Sequence, residues 1–193
     1  MTDRVYLDNA ATTPLDPRVL ESMLPHLSGR RGNPSSVHAL GGAARDAIEA
    51  ARASVASLVG ALPEEIVFTS GGTESDAVAV LGLARSAPPD KRHLVVSCVE
   101  HAAVREDARR LEQEGFGVTW VGVDADGLID PDEFLAALRP DTALAAAIWA
   151  NNEVGTIEPI RELAEACAGQ SIPFHADAVQ AAGRVPIDVS DTP

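Results

Sequence analysis

Polar and apolar positions along the chain fall into two kinds of block. Asp16-Pro17 sets a capping carboxylate ahead of a proline at the first helical position and predicts a helix through about Leu27. A second helix is expected over residues 42–59, with Gly60 placed to stop it. Beyond Gly60, short β-branched apolar runs at residues 65–69, 93–99, 118–123, 142–150 and 172–176 alternate with helical stretches at 73–85, 102–114, 131–138 and 159–168. Runs that are apolar on both faces and separated by helices read as a parallel sheet covered on both sides, an α/β fold. The segment Ala77-Val-Ala-Val-Leu-Gly-Leu-Ala84 is apolar nearly all round, so deep burial is expected for it.

Composition narrows the function. The 193 residues suit one compact domain that can bury a core without disulfide or metal staples. No repeat, low-complexity tract or long linker interrupts them. Hydrophobic residues at 46% and charged residues at 23% exclude disorder. No apolar run approaches the ~20 residues of a membrane helix, and the first residues carry no signal-peptide core. Two cysteines, Cys98 and Cys167, form no C-x-x-C pair, and a reducing cytoplasm is the expected location. A net charge of −14 argues against general affinity for nucleic acid or anionic membrane. Of the 15 basic residues, Lys91 is the single lysine, so chemistry that needs a lysine must use it or find one elsewhere.

Ligands of open parallel sheets bind beyond the carboxyl ends of the strands. Ser70-Gly71-Gly72-Thr73-Glu74-Ser75 follows the first run, Glu100-His101 the second, Asn151-Asn152-Glu153 the fourth and Asp177-Ala178-Val179-Gln180 the fifth. Polar groups thus converge on one edge. Ser70-Gly-Gly-Thr at a helix start suits a phosphate, because glycine permits close approach and the helix terminus offers free N–H groups. It also reads as a plain glycine turn with Thr73 as N-cap, and it is neither a P-loop nor G-x-G-x-x-G. His101 is a capping histidine or a flat surface for a ring. Cys98-Val-Glu-His101 has metal-like spacing, but a strand cysteine without further ligands reads as core, and no metal is expected. Asp177, after a nearly apolar strand, needs a partner to stay ionised: it caps a turn or meets a protonated ring nitrogen. Asn152 and Gln180 are turn and surface amides or holders of a ring oxygen. A phosphate, a flat ring, a protonated ring nitrogen and a ring oxygen are the parts of pyridoxal 5′-phosphate (PLP).

Tyr6-Leu-Asp-Asn-Ala-Ala-Thr-Thr-Pro14, Gly32-Asn-Pro-Ser-Ser-Val-His38, Phe68-Thr-Ser-Gly-Gly-Thr-Glu-Ser-Asp76, Glu100-His101, Asn151-Asn-Glu-Val-Gly-Thr156 and His175-Ala-Asp-Ala-Val-Gln180 resemble the cysteine desulfurases. These belong to the class V aminotransferases, in the nitrogen-fixation and iron–sulfur-cluster group, and the similarity runs from Val5 to the last residue. The resemblance implies the large domain of a PLP-dependent transferase of fold type I, incomplete at its C-terminus. Residues 1–15 would form an N-terminal segment near the substrate entrance, and 16–193 part of the PLP-binding large domain. It further implies that Gly72 and Thr73 hold the cofactor phosphate and that His101 stacks on the ring as a catalytic residue. Asp177 pairs with the ring nitrogen, Asn152 and Gln180 contact the ring hydroxyl side, and Val179 packs on the face opposite His101. Asn9, Ala10, Ala11 and Thr12 lie near the substrate entrance, as does the segment from Asn33 to His38, which approaches a partner subunit. The implied reaction converts L-cysteine to L-alanine. A mobile-loop cysteine takes the sulfur as a persulfide and passes it to a sulfur acceptor or iron–sulfur scaffold protein, or to tRNA thiolation. The implied assembly is a homodimer, with no direct nucleic-acid or membrane contact.

The family's Schiff-base lysine lies in a Ser-x-His-Lys segment that, counted off from Asp177, falls beyond Pro193. The sulfur-accepting cysteine and the arginine for the substrate carboxylate are expected further on. Lys91 precedes a strand, at the opposite end of the sheet from the site, and neither Cys98 nor Cys167 resembles a mobile-loop nucleophile. In this family two later strands separate the first strand from the others, so residues 65–69 are expected to lack neighbours and the 193 residues alone to be unstable or aggregate. The expectation is the N-terminal part of a cysteine desulfurase, inactive by itself. Alternatives are another class V member, such as a selenocysteine lyase or an aminotransferase, and a non-catalytic remnant or interaction module. A nucleotide-binding Rossmann domain fits the alternation but lacks the glycine fingerprint.

Overall fold

The computed structural model describes residues 4–191; residues 1–3 of the expected N-terminal segment, and 192–193, lie outside the described residues. The chain divides into two compact units, one up to Ile66 and the other from Val67.

The first unit is helical. Helix α1 (Pro17–Ser28) begins where the Asp16-Pro17 pair predicts, with the Asp16 carboxylate accepting from the Arg18 N–H at 2.8 Å. Helix α2 (Ala39–Val59) starts three residues before the expected Gly42, because the His38 Nδ1 accepts from the Gly41 N–H at 3.3 Å and supplies a cap that the apolar pattern does not reveal. It ends at Gly60, whose φ of 71° is the left-handed conformation that glycine adopts without penalty. A 3₁₀ turn (Pro63–Glu65) follows, braced by the Glu65 carboxylate accepting from the Leu62 N–H at 2.7 Å. The core here is slight: α1 buries no residue, and α2 buries Gly41 and Ala56.

The second unit carries the sheet. Helix α3 (Gly72–Ser86) is followed by β1 (His93–Ser97), α4 (Ala102–Gln113), β2 (Gly117–Val121), α5 (Pro131–Ala137), β3 (Thr142–Ile148), α6 (Ile160–Ala168) and β4 (Phe174–Asp177). The strands are all parallel in the order β2-β1-β3-β4, as the alternation of apolar runs and helices requires. The central strands β1 and β3 are buried along their whole length. Leu94, Val96, Leu144 and Ala146 meet Val80, Val104 and Leu111 of α3 and α4 on one face. Val95, Ala145 and Ala147 meet Phe134, Ile160 and Leu163 of α5 and α6 on the other. At the amino end of the sheet the buried His93 imidazole bridges Thr142 and Thr119 at 2.9 and 2.8 Å, linking three strands through one ring.

Two expectations need correction. Residues 66–69 form no strand. The segment lies outside the four-stranded sheet, and Val67 and Phe68 remain largely exposed; an extended apolar run becomes a strand only when another strand satisfies its N–H and C=O groups. Helix α3 is not buried all round either: Asp76, Val80 and Ala84 form its one buried stripe, whereas Val78 and Leu83 are exposed. Hydrophobicity on every side describes what a helix can bury, and here one face meets α4 and the sheet.

Candidate active site

Gly72, Thr73, His101, Asn152, Asp177, Val179 and Gln180 all belong to the second unit, at the first turn of α3 and at or just beyond the carboxyl ends of β1, β3 and β4. The tightest grouping surrounds Asp177. This last residue of β4 is 5% exposed, its carboxylate accepts from the Val179 N–H at 3.0 Å, and its carbonyl accepts from the Trp149 N–H at 2.8 Å. Burial pushes the carboxyl above the usual range; the Val179 N–H partly opposes this, Asp76 adds to it, and His175 and His101 act against it. A cation placed beside Asp177 would restore its ionised form.

The first turn of α3 adjoins Val179. A Cβ at Gly72 would lie 2.7 Å from Val179 Cγ2, so glycine is what lets the helix start and the turn after β4 pack this closely. The N-cap is Gly71 rather than Thr73, and no side chain caps the helix. Its first amides are therefore available to an anion or to water. The loop before it is set by its own hydroxyls and carboxylate: Thr69 Oγ1 and Ser75 Oγ lie 2.7 Å apart, and the Ser70 N–H donates to Glu74 at 2.6 Å.

His101 realises the capping alternative. Its Nδ1 accepts from the Ala103 N–H at 3.2 Å and starts α4, while the side chain stays exposed. Capping and stacking are compatible, because the cap uses a ring-edge lone pair and leaves the ring face free for a planar ligand. Asn152 is half-buried and donates to Glu153 at 2.9 Å; the Gln180 carboxamide oxygen accepts from Arg184 at 2.9 Å.

Two residues that the sequence reading did not single out build this edge. Asn151 accepts from the Glu153 and Val154 N–H groups at 2.8 and 3.1 Å and donates to the Val99 carbonyl at 3.0 Å, fastening the loop after β3 to the end of β1. The Glu100 Oε1 accepts from Ser97 Oγ and from the Ile148 N–H, both at 2.5 Å, while Oε2 is buried without a partner. Burial raises this carboxyl to about 7. A carboxylate three residues past a wholly buried strand was the available signal. The cysteines also differ from each other: Cys98 lies past the end of β1 and is exposed rather than in the core, whereas Cys167 is buried and its thiol is pushed up to about 12.

A cleft of about 750 Å³ opens beside His101 and Asn152, lined also by Cys98, Glu100, Arg105 and Asn151 and by the turn at residues 124–127. Gly72, Thr73, Asp177, Val179 and Gln180 do not line it. The candidate residues thus form two groups, and His101 joins them, lining the cleft while remaining within electrostatic reach of Asp177. Asn9, Ala10, Ala11, Thr12, Asn33 and His38 belong to the first unit, where Asn33 accepts from the Ser35 N–H at 2.9 Å and His38 caps α2.

Comparison with known proteins bears on this geometry. The aminotransferase class-V model matches residues 5–193. Cysteine desulfurase IscS of Neisseria meningitidis is 50% identical over 186 residues, which are 96% of this chain and 46% of that protein. Cysteine desulfurase of Mus musculus is 49% identical over 188 residues, 97% of this chain and 41% of that one. Among solved structures, SspA in complex with cysteine matches with a TM-score of 0.93 at 42% identity, covering 97% of this chain and 54% of that one. A NifS-like protein matches with a TM-score of 0.92 at 38% identity, covering 97% and 52%. The chain spans about half the length of the curated relatives it matches.

Proposed function

Because the chain belongs to the aminotransferase class-V family, we propose that it carries the cofactor cradle of a PLP-dependent cysteine desulfurase. The observation that carries this reading is the buried Asp177 carboxyl, set one turn from Val179 and thereby beside the uncapped start of α3 at Gly72. The residues present fit the cofactor. The amides of Gly72 and Thr73 would bind its phosphate, the exposed His101 ring would support its flat face, and Asn152 and Gln180 would hold its ring oxygen. Asp177 would hold a proton on the ring nitrogen, and the positive charge gained there would offset the cost of burying the carboxylate. When bound, PLP supplies an electron sink for the substrate's α-carbon, which a protonated ring strengthens.

The proposed substrate is L-cysteine, converted to L-alanine, with sulfur passed through a persulfide to a sulfur acceptor or iron–sulfur scaffold protein. Asn9, Ala10, Ala11, Thr12, Asn33 and His38 keep in this proposal the substrate-entrance role that the resemblance implies. Lys91 lies just before β1, at the amino end of a sheet whose carboxyl ends carry the site, so the anchoring lysine comes from outside these 193 residues. Cys167 is too deeply buried to accept sulfur; Cys98 is exposed and lines the cleft, but in this proposal the persulfide-forming cysteine stays on the mobile loop that the resemblance implies, outside these residues. The assembly proposed is a homodimer working in a reducing cytoplasm; among the described residues no helix is long and apolar enough to cross a membrane.

The test supplies the protein with PLP, L-cysteine, an excess of a thiol reductant that releases persulfide sulfur as sulfide while being oxidised to its disulfide, and the segment bearing the anchoring lysine and the persulfide-forming cysteine, joined or separate, and measures alanine and sulfide. Equal formation of both supports the reading. PLP binding without either product would make the protein a non-catalytic relative, and no PLP binding at all would overturn the cradle.

A further inference from the structure

Helix α3 and strand β4 meet through a polar contact that none of the roles above uses. The Asp76 carboxylate lies 3.1 Å from His175 Nε2, with the two side chains 4% and 14% exposed. Asp76 follows Gly72 by four residues and therefore shares its face of α3; His175 precedes Asp177 by two and shares its face of β4. Along this single seam, Gly72 meets Val179 and, one helical turn later, Asp76 meets His175. Asp177 lies between those two contacts on the β4 side. The remaining buried positions on this stripe of α3, Val80 and Ala84, pack against α4 and the sheet through apolar surface, which permits small sliding movements. A hydrogen bond between two nearly buried groups is directional and does not slide.

We infer that Asp76 and His175 are a positioning pair that fixes the distance between the amides at the start of α3 and the Asp177 carboxyl. This inference rests on the cradle reading, because the two ends it holds apart are the phosphate end and the ring-nitrogen end of one bound molecule. Neither residue touches the ligand. Their contact sets the span that a rigid ligand must match, and a ligand that touches only one end is indifferent to it.

The experiment uses the protein as its gene encodes it and compares two probes by direct titration. PLP engages both ends; inorganic phosphate engages only the start of α3. Asp76→Ala and His175→Ala are each expected to weaken PLP binding about tenfold, the scale of a lost charge-assisted hydrogen bond, while phosphate affinity stays unchanged. The double variant is expected to be no weaker than either single one, since a pair that acts as a unit is lost once. Asp76→Asn keeps the volume and an oxygen that accepts from His175, so it folds in the same space and is expected to bind PLP within about threefold of the parent. Tenfold weakening in Asp76→Asn would show that charge, not hydrogen-bonded position, matters, and would overturn the inference. So would equal weakening of phosphate and PLP in the alanine variants, or additive losses in the double variant. A parent protein that binds phosphate but not PLP would instead overturn the cradle reading itself.

Discussion

Replacing Glu100 by glutamine tests the electrostatics of the site edge through stability. Glu100 is 3% exposed; one carboxyl oxygen accepts from Ser97 and Ile148, and the other has no partner. Burial lifts its pKa from 4.5 to about 7 in the folded chain. The raised value means that the folded state holds its proton more tightly than the unfolded state. Below pH 4.5 both states are protonated and the group is neutral in the balance; between 4.5 and 7 the unfolded chain ionises first, so stability falls as pH rises; above 7 the penalty is complete. A difference of 7 − 4.5 units at about 1.4 kcal/mol each gives roughly 3 kcal/mol. Glu100→Gln cannot ionise, so its stability lacks this slope. The variant carries a constant cost of about 1–3 kcal/mol for an orphaned amide N–H, and that cost cancels when two pH values are compared. Urea denaturation of parent and variant at about pH 5 and pH 8.5 should show the variant gaining roughly 2 to 3 kcal/mol relative to the parent at the higher pH. A stability difference that stays constant within about 0.5 kcal/mol across that interval would show that Glu100 ionises normally and refute the reasoning.

Asp177→Asn should leave phosphate binding intact yet reduce cysteine turnover by about 10²–10³, the scale of removing one electrostatic contact from a reacting centre; normal turnover would withdraw Asp177 from the ring nitrogen. Gly72→Ala brings a Cβ to within 2.7 Å of Val179 Cγ2 and should cost about 1–2 kcal/mol in stability by overpacking. Adding Val179→Ala should recover most of that loss in a thermal melt, whereas no recovery would place the strain elsewhere. Alkylation with iodoacetamide at pH 8 should label the exposed Cys98 and spare Cys167, whose buried thiol is pushed up to about 12. Peptide mass spectrometry reads the result directly.

The periodicity of the chain located α1 to α6 and β1 to β4 to within a few residues, because caps such as Asp16, Asp130 and Gly60 are written locally. The failure at residues 66–69 is of another kind: a strand is a relation between segments, and a run of suitable residues states only one side of it. The same holds for α3, whose composition announces apolar surface without saying which part meets a neighbour. Of the candidate site, the position of these residues at the carboxyl ends of the strands was legible in the sequence, and the rule that ligands gather at that edge makes them candidates. His101 as a cap and Asp177 as a buried acid could both be anticipated as alternatives. Asn151 was passed over in favour of Asn152, since two adjacent asparagines look alike until one is seen fastening the loop to Val99. The pairing of Asp76 with His175 spans 99 positions and leaves no local trace.

Strand β3 contributes alanine at 145, 146 and 147 in the centre of the sheet. Ala146 faces the layer of α3 and α4, while Ala145 and Ala147 face that of α5 and α6. The strand thus works as a two-sided spacer of minimum thickness. Enlarging position 146 would lift the layer of α3 and α4, and enlarging 145 or 147 would lift the layer of α5 and α6 and leave the start of α3 in place. The seating of α3 and α4 and that of α5 and α6 are therefore adjustable separately, each by single methyl groups.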